Sequence, residues 1–225
     1  GDYRLITLAP ASVQEMADFV ALGFDLAFKY NNPAIILADG IIGQMMEKVV
    51  LPPFRPRRTE EEIRKQMPWA TQGKLAGHKR NVITSLELDP AIMEENNIRF
   101  QAKYRKIEEA EVRYEEIGCE NADYLMIAFG SMARICLKTQ EMALAEGIKV
   151  GVLRPITLWP FPSKIIAEYA NKVKGMISVE LNAGQMVEDI RLAVNGKVKV
   201  EHFGRLGGIV PTPDEVLNAL KQKLM

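Results

Sequence analysis

Residues 176–191 read MISVELNAGQMVEDIR, an apolar run followed by a polar turn and an amphipathic run. β-Branched and other apolar residues up to Leu181 predict a buried strand. Gly184 predicts a tight turn, because glycine adopts backbone conformations that are closed to other residues. Apolar residues then recur at helical spacing, at Met186, Val187, Ile190 and Val194. The stretch therefore predicts a strand, a turn and a helix, which is the building block of an α/β fold.

The same unit repeats throughout residues 121–225. We predict strands at 124–129, 149–153, 176–181 and 199–202, and helices at 132–146, 163–173, 185–195 and 214–224. Four alternating pairs predict a mostly parallel sheet with helices on both faces. The predicted fold class is therefore α/β, with three α/β/α layers in this domain.

Small and polar residues follow the predicted strands. Because open α/β sheets meet their ligands at the carboxyl ends of the strands, we expect these residues to face a cofactor or a partner chain. The candidates are Asp39, Gly40, Gly130, Ser131, Arg154, Glu180, Asn182, Gly184 and Gln185. If this edge contacts another subunit, Arg154 is expected to pair with Glu180. The alternative is structural, with Asn182 capping the helix, Gly184 shaping the turn and Glu180 solvated.

A shorter α/β segment occupies residues 1–55. A strand at 3–8 precedes a helix that opens at Ser12, with Glu15 placed to complete a capping box, and an apolar strand follows at 34–38. Two strands do not make a stable sheet, so we expect the missing strands to come from upstream residues or from a partner chain. An exposed apolar edge then predicts oligomerisation, through Leu5, Ile6, Leu8 and Ile35–Leu37.

Residues 56–120 are expected to form an irregular and then helical connector. Prolines break regular structure near its start, and residues 91–117 read as one long polar helix or two abutting helices. The basic run from Lys74 to Arg80 suits an anionic cofactor tail, and it equally suits a solvated loop.

Composition excludes several classes of function. The chain has 29 basic and 29 acidic residues, so its net charge does not favour nucleic acid or an anionic membrane. Apolar runs stop short of the roughly 18 residues of a membrane span, and no signal-peptide pattern opens the chain, which predicts a cytoplasmic location. Cys119 and Cys136 lie outside any Cys-x-x-Cys motif, so no iron–sulfur, zinc or other metal site is predicted. A G-x-S-x-G turn and the phosphate-loop patterns are missing, which argues against a hydrolase and an independent nucleotide site.

Two segments of the second domain together resemble a known family. Residues 147–162 read GIKVGVLRPITLWPFP and residues 179–185 read VELNAGQ. Both are similar to the transketolase-C-terminal-like domain of 2-oxoacid:ferredoxin oxidoreductases, most of all to the 2-oxoisovalerate-type subunit that also carries the thiamin pyrimidine-binding domain. LAPASVQ at 8–14 and ILADG at 36–40 look like the later half of that pyrimidine-binding domain. The chain thus looks like the C-terminal part of such a subunit.

The resemblance implies oxidative decarboxylation of a branched-chain 2-oxoacid to an acyl-CoA. The whole enzyme would use thiamin diphosphate, magnesium, coenzyme A and iron–sulfur clusters, and would pass electrons to ferredoxin. It also implies a last or edge strand that runs antiparallel. The family's pyrimidine-activating glutamate would precede Gly1, and Ala38-Asp39-Gly40 departs from the Gly-Asp-Gly pattern that holds the magnesium diphosphate. We therefore expect no catalytic residue and no bound cofactor in this chain, with a diphosphate-binding subunit and an iron–sulfur subunit as partners.

Two other functions fit the same residues. A stand-alone flavodoxin-like module would hold a nucleotide or flavin at the strand-end turns. A subunit-assembly domain would use the same turns for protein contacts alone. An oxidoreductase subunit and an assembly domain overlap physically, whereas the binding module requires a pocket at the strand ends.

Overall fold

The computed structural model describes residues 3–71, 73 and 76–225. The chain forms two compact units, Gly1–Leu51 with Tyr104–Met225, and Pro52–Lys103. The expected domain bounds at 55 and 120 remain a prediction. Lys74 of the basic run lies outside the described residues, while His78, Lys79 and Arg80 are exposed in the smaller unit.

The larger unit contains most of the regular structure. Its elements are β1 (Ile6–Leu8), α1 (Val13–Tyr30), β2 (Ala34–Ile36), α2 (Gly40–Gln44), β3 (Tyr114–Ile117), β4 (Tyr124–Ile127), α5 (Gly130–Ala145), β5 (Val150–Pro155), β6 (Thr157–Trp159), α6 (Ser163–Tyr169), β7 (Gly175–Glu180), α7 (Met186–Val194), β8 (Lys199–Gly204) and α8 (Pro213–Leu224). The smaller unit contains α3 (Glu60–Gln66), and α4 (Pro90–Ala110) runs from the smaller unit into the larger one.

A five-stranded sheet organises the second half of the chain, in the order β3-β5-β4-β7-β8. Strands β4, β5, β7 and β8 are parallel, and β3 is an antiparallel edge strand. Because strand side chains alternate between faces, Met126 packs with α5 and α8 while Leu125 packs with α6 and α7. The expected three-layer α/β/α arrangement and the antiparallel edge strand are both confirmed.

Strand β3 replaces the last part of the predicted helix 91–117, so that prediction is wrong beyond Ala110. The helix ends at Ala110, and Tyr114 pairs with Pro155 on β5. The charged pair Glu115-Glu116 favours a helix locally, but an edge strand tolerates charge because one of its sides is open. Both carboxylates find partners there, since Glu115 binds Arg154 and Glu116 accepts a hydrogen bond from the Tyr169 hydroxyl.

A separate three-stranded sheet has the order β2-β1-β6. The expectation that its missing strand is supplied from upstream or by a partner is wrong for one edge, because β6 of the same chain pairs antiparallel with β1. Ile6 and Leu8 are consequently fully buried, although the apolar-edge prediction had exposed them. On β2 and just beyond it, Ile35 is 39% and Leu37 is 45% exposed, so this part of the predicted apolar edge is exposed.

The two sheets meet at the carboxyl ends of their strands. Only Ile156 separates β5 from β6, so one extended segment passes from the larger sheet into the smaller one. Leu8 at the end of β1 pairs with Thr157 at the start of β6, and the Ala9 amide donates to the Ile156 carbonyl at 2.8 Å. The ends of β1 and β2 therefore face the ends of β4, β5 and β7. We call this region the strand-end junction.

Candidate functional site

Asp39 lies at the strand-end junction and caps two helices at once. Its Oδ1 accepts hydrogen bonds from the Ile41 and Ile42 amides of α2, at 3.1 and 3.0 Å. Its Oδ2 accepts from the Ser131 amide of α5 at 2.8 Å. A carboxylate is favourable at both places because helix N-termini carry free N–H groups and a positive dipole end. One side chain thus joins the end of β2 to the helix that follows β4.

Gly130 is required by this contact. Its φ of +61° favours glycine. A Cβ at this position would lie 2.7 Å from Asp39 Oδ2, which is closer than real Cβ contacts allow. The Gly-Ser turn was predicted to face a cofactor or a partner, and its Ser131 amide is bound to a carboxylate of this chain. Gly40, the first residue of α2, is exposed.

Arg154 is only 6% exposed and lies between two acidic side chains. Its Nη1 donates to Glu115 Oε2 at 2.7 Å, and its Nη2 contacts the Glu15 carboxylate and the Ala9 carbonyl. The predicted pairing with Glu180 is wrong. Strand β3 explains the difference, because its register sets Glu115 directly opposite Arg154. Arg154 therefore ties β3 and α1 to the end of β5.

The predicted capping box of α1 is half formed. The Ser12 hydroxyl accepts from the Glu15 amide at 3.1 Å, as expected. The Glu15 carboxylate instead accepts from the Ala11 amide at 2.7 Å and binds Arg154. The ion pair with Arg154 draws this carboxylate toward the strand-end junction.

Glu180 is 1% exposed, so the alternative of a solvated strand end is wrong. Its carboxylate accepts hydrogen bonds from the Gln185, Met186 and Val187 amides at 3.0, 2.9 and 3.0 Å, and another from the Ser178 hydroxyl. Burial alone raises the pKa of Glu180, but these four hydrogen bonds outweigh burial and hold the pKa below its usual value. Glu180 therefore caps α7 as an anion.

The turn between β7 and α7 depends on Asn182 and Gly184. Asn182 Oδ1 accepts from the Gly184 amide at 2.7 Å, which closes a local turn. Gly184 has a φ of +105°, a conformation that favours glycine. Asn182 does not cap the helix as one alternative expected, because the buried Glu180 carboxylate already binds those amides. Gln185 contributes its amide to Glu180 and lies exposed where α7 begins.

A cavity of about 180 Å³ opens at the strand-end junction. Three of the candidate residues line it, namely Glu180, Asn182 and Gln185, together with Leu37, Phe129, Leu158, Phe161, Met186 and Asp189. Asp39, Ser131 and Arg154 are not among the lining residues. Sequence reasoning missed Phe129, Phe161 and Asp189. Phe129 directly precedes Gly130, and Asp189 lies one turn into the predicted helix.

A larger cavity of about 510 Å³ lies at the opposite edge of the five-stranded sheet, where β4 and β5 begin. Its lining includes Glu120, Glu141 and a single lysine, Lys149. Two carboxylates against one cation give it no excess positive charge for a phosphate.

Glu111 is a further buried acid that sequence reasoning missed. It is 2% exposed and accepts from Lys29 Nζ at 2.7 Å, the Tyr30 hydroxyl at 2.6 Å and Arg113 Nη2 at 2.9 Å. Burial opposes its charge, but these hydrogen bonds prevail and hold the pKa of Glu111 low. The cluster joins the end of α1 to the segment between α4 and β3, which is a structural role.

Two findings limit what the described residues can do. Across 3–71, 73 and 76–225, no helix is both long and apolar enough to cross a membrane. In the same part of the chain, no group of three or more His, Cys, Asp or Glu side chains is placed to hold a metal ion.

Comparisons with known proteins place both parts of the chain. Residues 1–118 match the family model described as "Pyruvate flavodoxin/ferredoxin oxidoreductase, thiamine diP-bdg". Residues 122–216 match the model described as "Pyruvate:ferredoxin oxidoreductase core domain II".

Several curated proteins are similar over nearly the whole chain. Ketoisovalerate oxidoreductase subunit VorB of Methanothermobacter thermautotrophicus is 45% identical over 222 residues, 99% of this chain and 61% of that protein. 2-Oxoglutarate synthase subunit KorA of Methanothermobacter marburgensis is 30% identical over 246 residues, 98% of this chain and 64% of that protein. The chain thus spans about three fifths of the length of these relatives.

One solved structure has the same fold. It is the 2-oxoglutarate:ferredoxin oxidoreductase from Magnetococcus marinus with 2-oxoglutarate, coenzyme A and succinyl-CoA bound. The match has a TM-score of 0.73 at 23% identity, and it covers 98% of this chain and 42% of that one.

Proposed function

This chain belongs to the pyruvate flavodoxin/ferredoxin oxidoreductase family, and we propose that it forms part of a subunit of a branched-chain 2-oxoacid:ferredoxin oxidoreductase. One observation carries the choice of substrate. The chain is 45% identical to ketoisovalerate oxidoreductase subunits but 30% identical to a 2-oxoglutarate synthase subunit over a similar length. The proposed reaction converts 2-oxoisovalerate and coenzyme A to isobutyryl-CoA and CO₂. Two electrons pass to two ferredoxins, and the proton of the coenzyme A thiol is released.

Neither of the two cavities described above fits thiamin diphosphate. The cavity at the strand-end junction, about 180 Å³, is smaller than the roughly 300–1,000 Å³ of typical small-molecule sites. The larger cavity carries more acidic than basic groups. We therefore assign thiamin diphosphate, magnesium, coenzyme A and the iron–sulfur clusters to other parts of the enzyme. The diphosphate-binding subunit and the iron–sulfur subunit remain the proposed partners, with ferredoxin as acceptor.

In this proposal the chain contributes structure to the enzyme, because its side chains hold the turns at the strand-end junction. Asp39 and Arg154 place their charges on groups of the chain itself, across the strand-end junction. Glu180 fixes where α7 begins, and with it Met186 and Asp189 at the cavity. In this proposal these residues do not contact a partner directly. They hold in place the turns that form the contact surface. Asn182 and Gln185 are the candidates that remain at the surface of the cavity.

A stand-alone nucleotide- or flavin-binding module is the weaker proposal. Such a module needs a site at the carboxyl ends of its strands. In this chain that position is filled by Asp39 and Glu180, and the remaining cavity is below the size of a small-molecule site.

Subunit contacts and a homo-oligomer are part of the proposal. Helix α1 exposes an apolar row at helical spacing, with Val20 at 48%, Phe24 at 63% and Phe28 at 45%. Apolar surface of this extent is typical of protein contacts. A cytoplasmic location is also proposed, and it suits the two free, buried cysteines, Cys119 and Cys136.

The test is an assay of the full-length protein with its partner subunits. We expect reduction of a viologen dye that depends on both 2-oxoisovalerate and coenzyme A, with kcat/KM higher for 2-oxoisovalerate than for 2-oxoglutarate. The chain by itself should give no reduction. Preference for 2-oxoglutarate would contradict the proposed substrate, and activity of the isolated chain would contradict the assignment of the cofactors to other parts.

A further inference from the structure

The cavity at the strand-end junction combines apolar walls with an acidic rim. Its apolar lining comes from several elements, namely Leu37 after β2, Phe129 after β4, Leu158 on β6, Phe161 after β6 and Met186 at the start of α7. Leu37 is 45% exposed although Leu8 on the neighbouring strand is fully buried.

Both charged residues of the lining are acidic. The lining includes the carboxylates of Glu180 and Asp189, and it contains no lysine, arginine or histidine. Glu188, an exposed neighbour outside the lining, adds a third carboxylate nearby. Burial, Glu188 and Glu180 raise the pKa of Asp189, which shows that its anion is held at a cost in this position.

The two acids of the cavity differ in what they can bind. Glu180 is already saturated by the amides of α7 and the Ser178 hydroxyl. His202 lies close to the first of them, with Nδ1 3.4 Å from Glu180 Oε1. Asp189 makes no ion pair with another residue of the described chain. The exposed carboxylate at the rim is therefore the one with capacity for a cation.

The size of the cavity points to a side chain. About 180 Å³ is too little for a cofactor, and apolar walls next to a carboxylate suit an aliphatic stem that ends in a positive charge. Arginine fits better than lysine, because a planar guanidinium stacks on aromatic rings and binds a carboxylate in a bidentate way. We propose that this cavity receives an arginine side chain from a neighbouring subunit, with its guanidinium on Asp189 and against Phe129 and Phe161. The identity of the donor as an enzyme subunit rests on the proposed function.

The cavity is tested first on the chain alone, with two probes of equal shape. Butylguanidinium carries the charge, and butylurea is its neutral counterpart. Methionines labelled with ¹³C at the methyl group report binding, and the Met186 signal is assigned with Met186→Leu. We expect a saturable shift of that signal with butylguanidinium and about tenfold weaker binding of butylurea.

Two variants separate this site from general attraction. Asp189→Asn should reduce butylguanidinium binding to the level of butylurea. Glu188→Gln removes the same charge from the next residue, outside the cavity lining, and should leave binding within about twofold. Equal binding of both probes, an unchanged affinity in Asp189→Asn or the absence of any shift at Met186 would overturn the proposal.

The donor is tested in the assembled enzyme. Asp189→Asn should weaken association with the partner subunits by about tenfold or more relative to Glu188→Gln. Probe binding together with unchanged assembly would overturn the assignment to a neighbouring subunit. Failure of the proposed function would be seen separately, as a complex that assembles normally but does not oxidise 2-oxoacids.

Discussion

Asp39 and Glu180 are both carboxylates that end a strand and cap a helix, yet they hold together different parts of the molecule. Glu180 binds three amides at the start of α7, the helix that follows its own strand. Asp39 binds two amides of α2 and one of α5, that of Ser131, which lies 92 residues later in the chain. Glu180 is buried at 1% exposure, whereas Asp39 is partly exposed.

A carboxylate cap can therefore stabilise either a local unit or a contact between two sheets. Glu180 stabilises one strand-turn-helix unit, and the loss of its carboxylate leaves several amides without partners in a buried place. Asp39 connects the smaller sheet to the larger one, and water can replace part of what it provides. We expect Glu180 to control the stability of the larger sheet and Asp39 to control how firmly the two sheets are joined.

Glu180→Ala should produce the largest loss of stability. Removing the carboxylate leaves three helix amides and the Ser178 hydroxyl without their acceptor, so we expect a loss of about 3 kcal/mol in the free energy of unfolding. Urea denaturation followed by circular dichroism measures it. Glu188→Gln is the control, and its change should stay within about 0.5 kcal/mol because the side chain is exposed. Equal effects of the two variants would contradict the assigned role of Glu180.

Arg154→Ala should have an intermediate effect, about 2 kcal/mol. The buried guanidinium links Glu15 on α1 with Glu115 on β3, but both carboxylates can regain water when it is lost. Lys138→Ala removes an exposed ion pair with Glu141 and should cost at most about 0.5 kcal/mol. A loss for Arg154→Ala no greater than for Lys138→Ala would show that the junction does not depend on this arginine.

Gly130→Ala should cost about 1–2 kcal/mol, since the backbone is in a left-handed conformation and the new Cβ meets Asp39 Oδ2. Part of that cost comes from the carboxylate itself. In the Asp39→Ala background the same substitution should therefore cost less, which a double-mutant cycle measures by urea denaturation. Equal costs in both backgrounds would mean that Asp39 does not occupy the space next to Gly130.

The pH dependence should report on Glu180 with a smaller signal. Its folded-state pKa lies below the usual 4.5, so its contribution to stability is complete above that pH and is lost as the pH falls through the folded-state value. Glu180→Gln keeps an acceptor but removes the titration. Melting temperatures between pH 7 and 3 should fall more steeply for the wild type than for Glu180→Gln, and parallel curves would contradict the lowered pKa.

Regular elements with a strong pattern were predicted correctly from the sequence. The strand that ends at Glu180 is mostly apolar and is buried along its length, so local pattern and tertiary environment agree. Strands β3 and β6 were not predicted, because their local pattern and their tertiary environment disagree. The charged residues of β3 are typical of a helix. Strand β6 has three residues, and a single residue separates it from β5. Both strands exist because the two sheets offer them edges.

Partners of the candidate side chains depended on those missed strands. Arg154 was assigned to Glu180 because both end neighbouring strands, but β3 places Glu115 opposite it. One alternative gave the helix cap to Asn182 by proximity, while the carboxylate that binds the amides lies five to seven residues away in sequence. Capping rules of short range do not reach that far. The positions of the polar residues could be read from the sequence, whereas their partners required the fold.

Amide hydrogen exchange at two positions tests the central comparison most directly. Asp39→Ala should speed exchange of the Ser131 amide and leave the Met186 amide protected, relative to other amides of the same variant. Glu180→Ala should speed exchange of the Met186 amide and leave the Ser131 amide protected. Each amide loses its acceptor in one variant only. Faster exchange at both positions in both variants, or at neither, would contradict the claim that these carboxylates fasten separate parts of the chain.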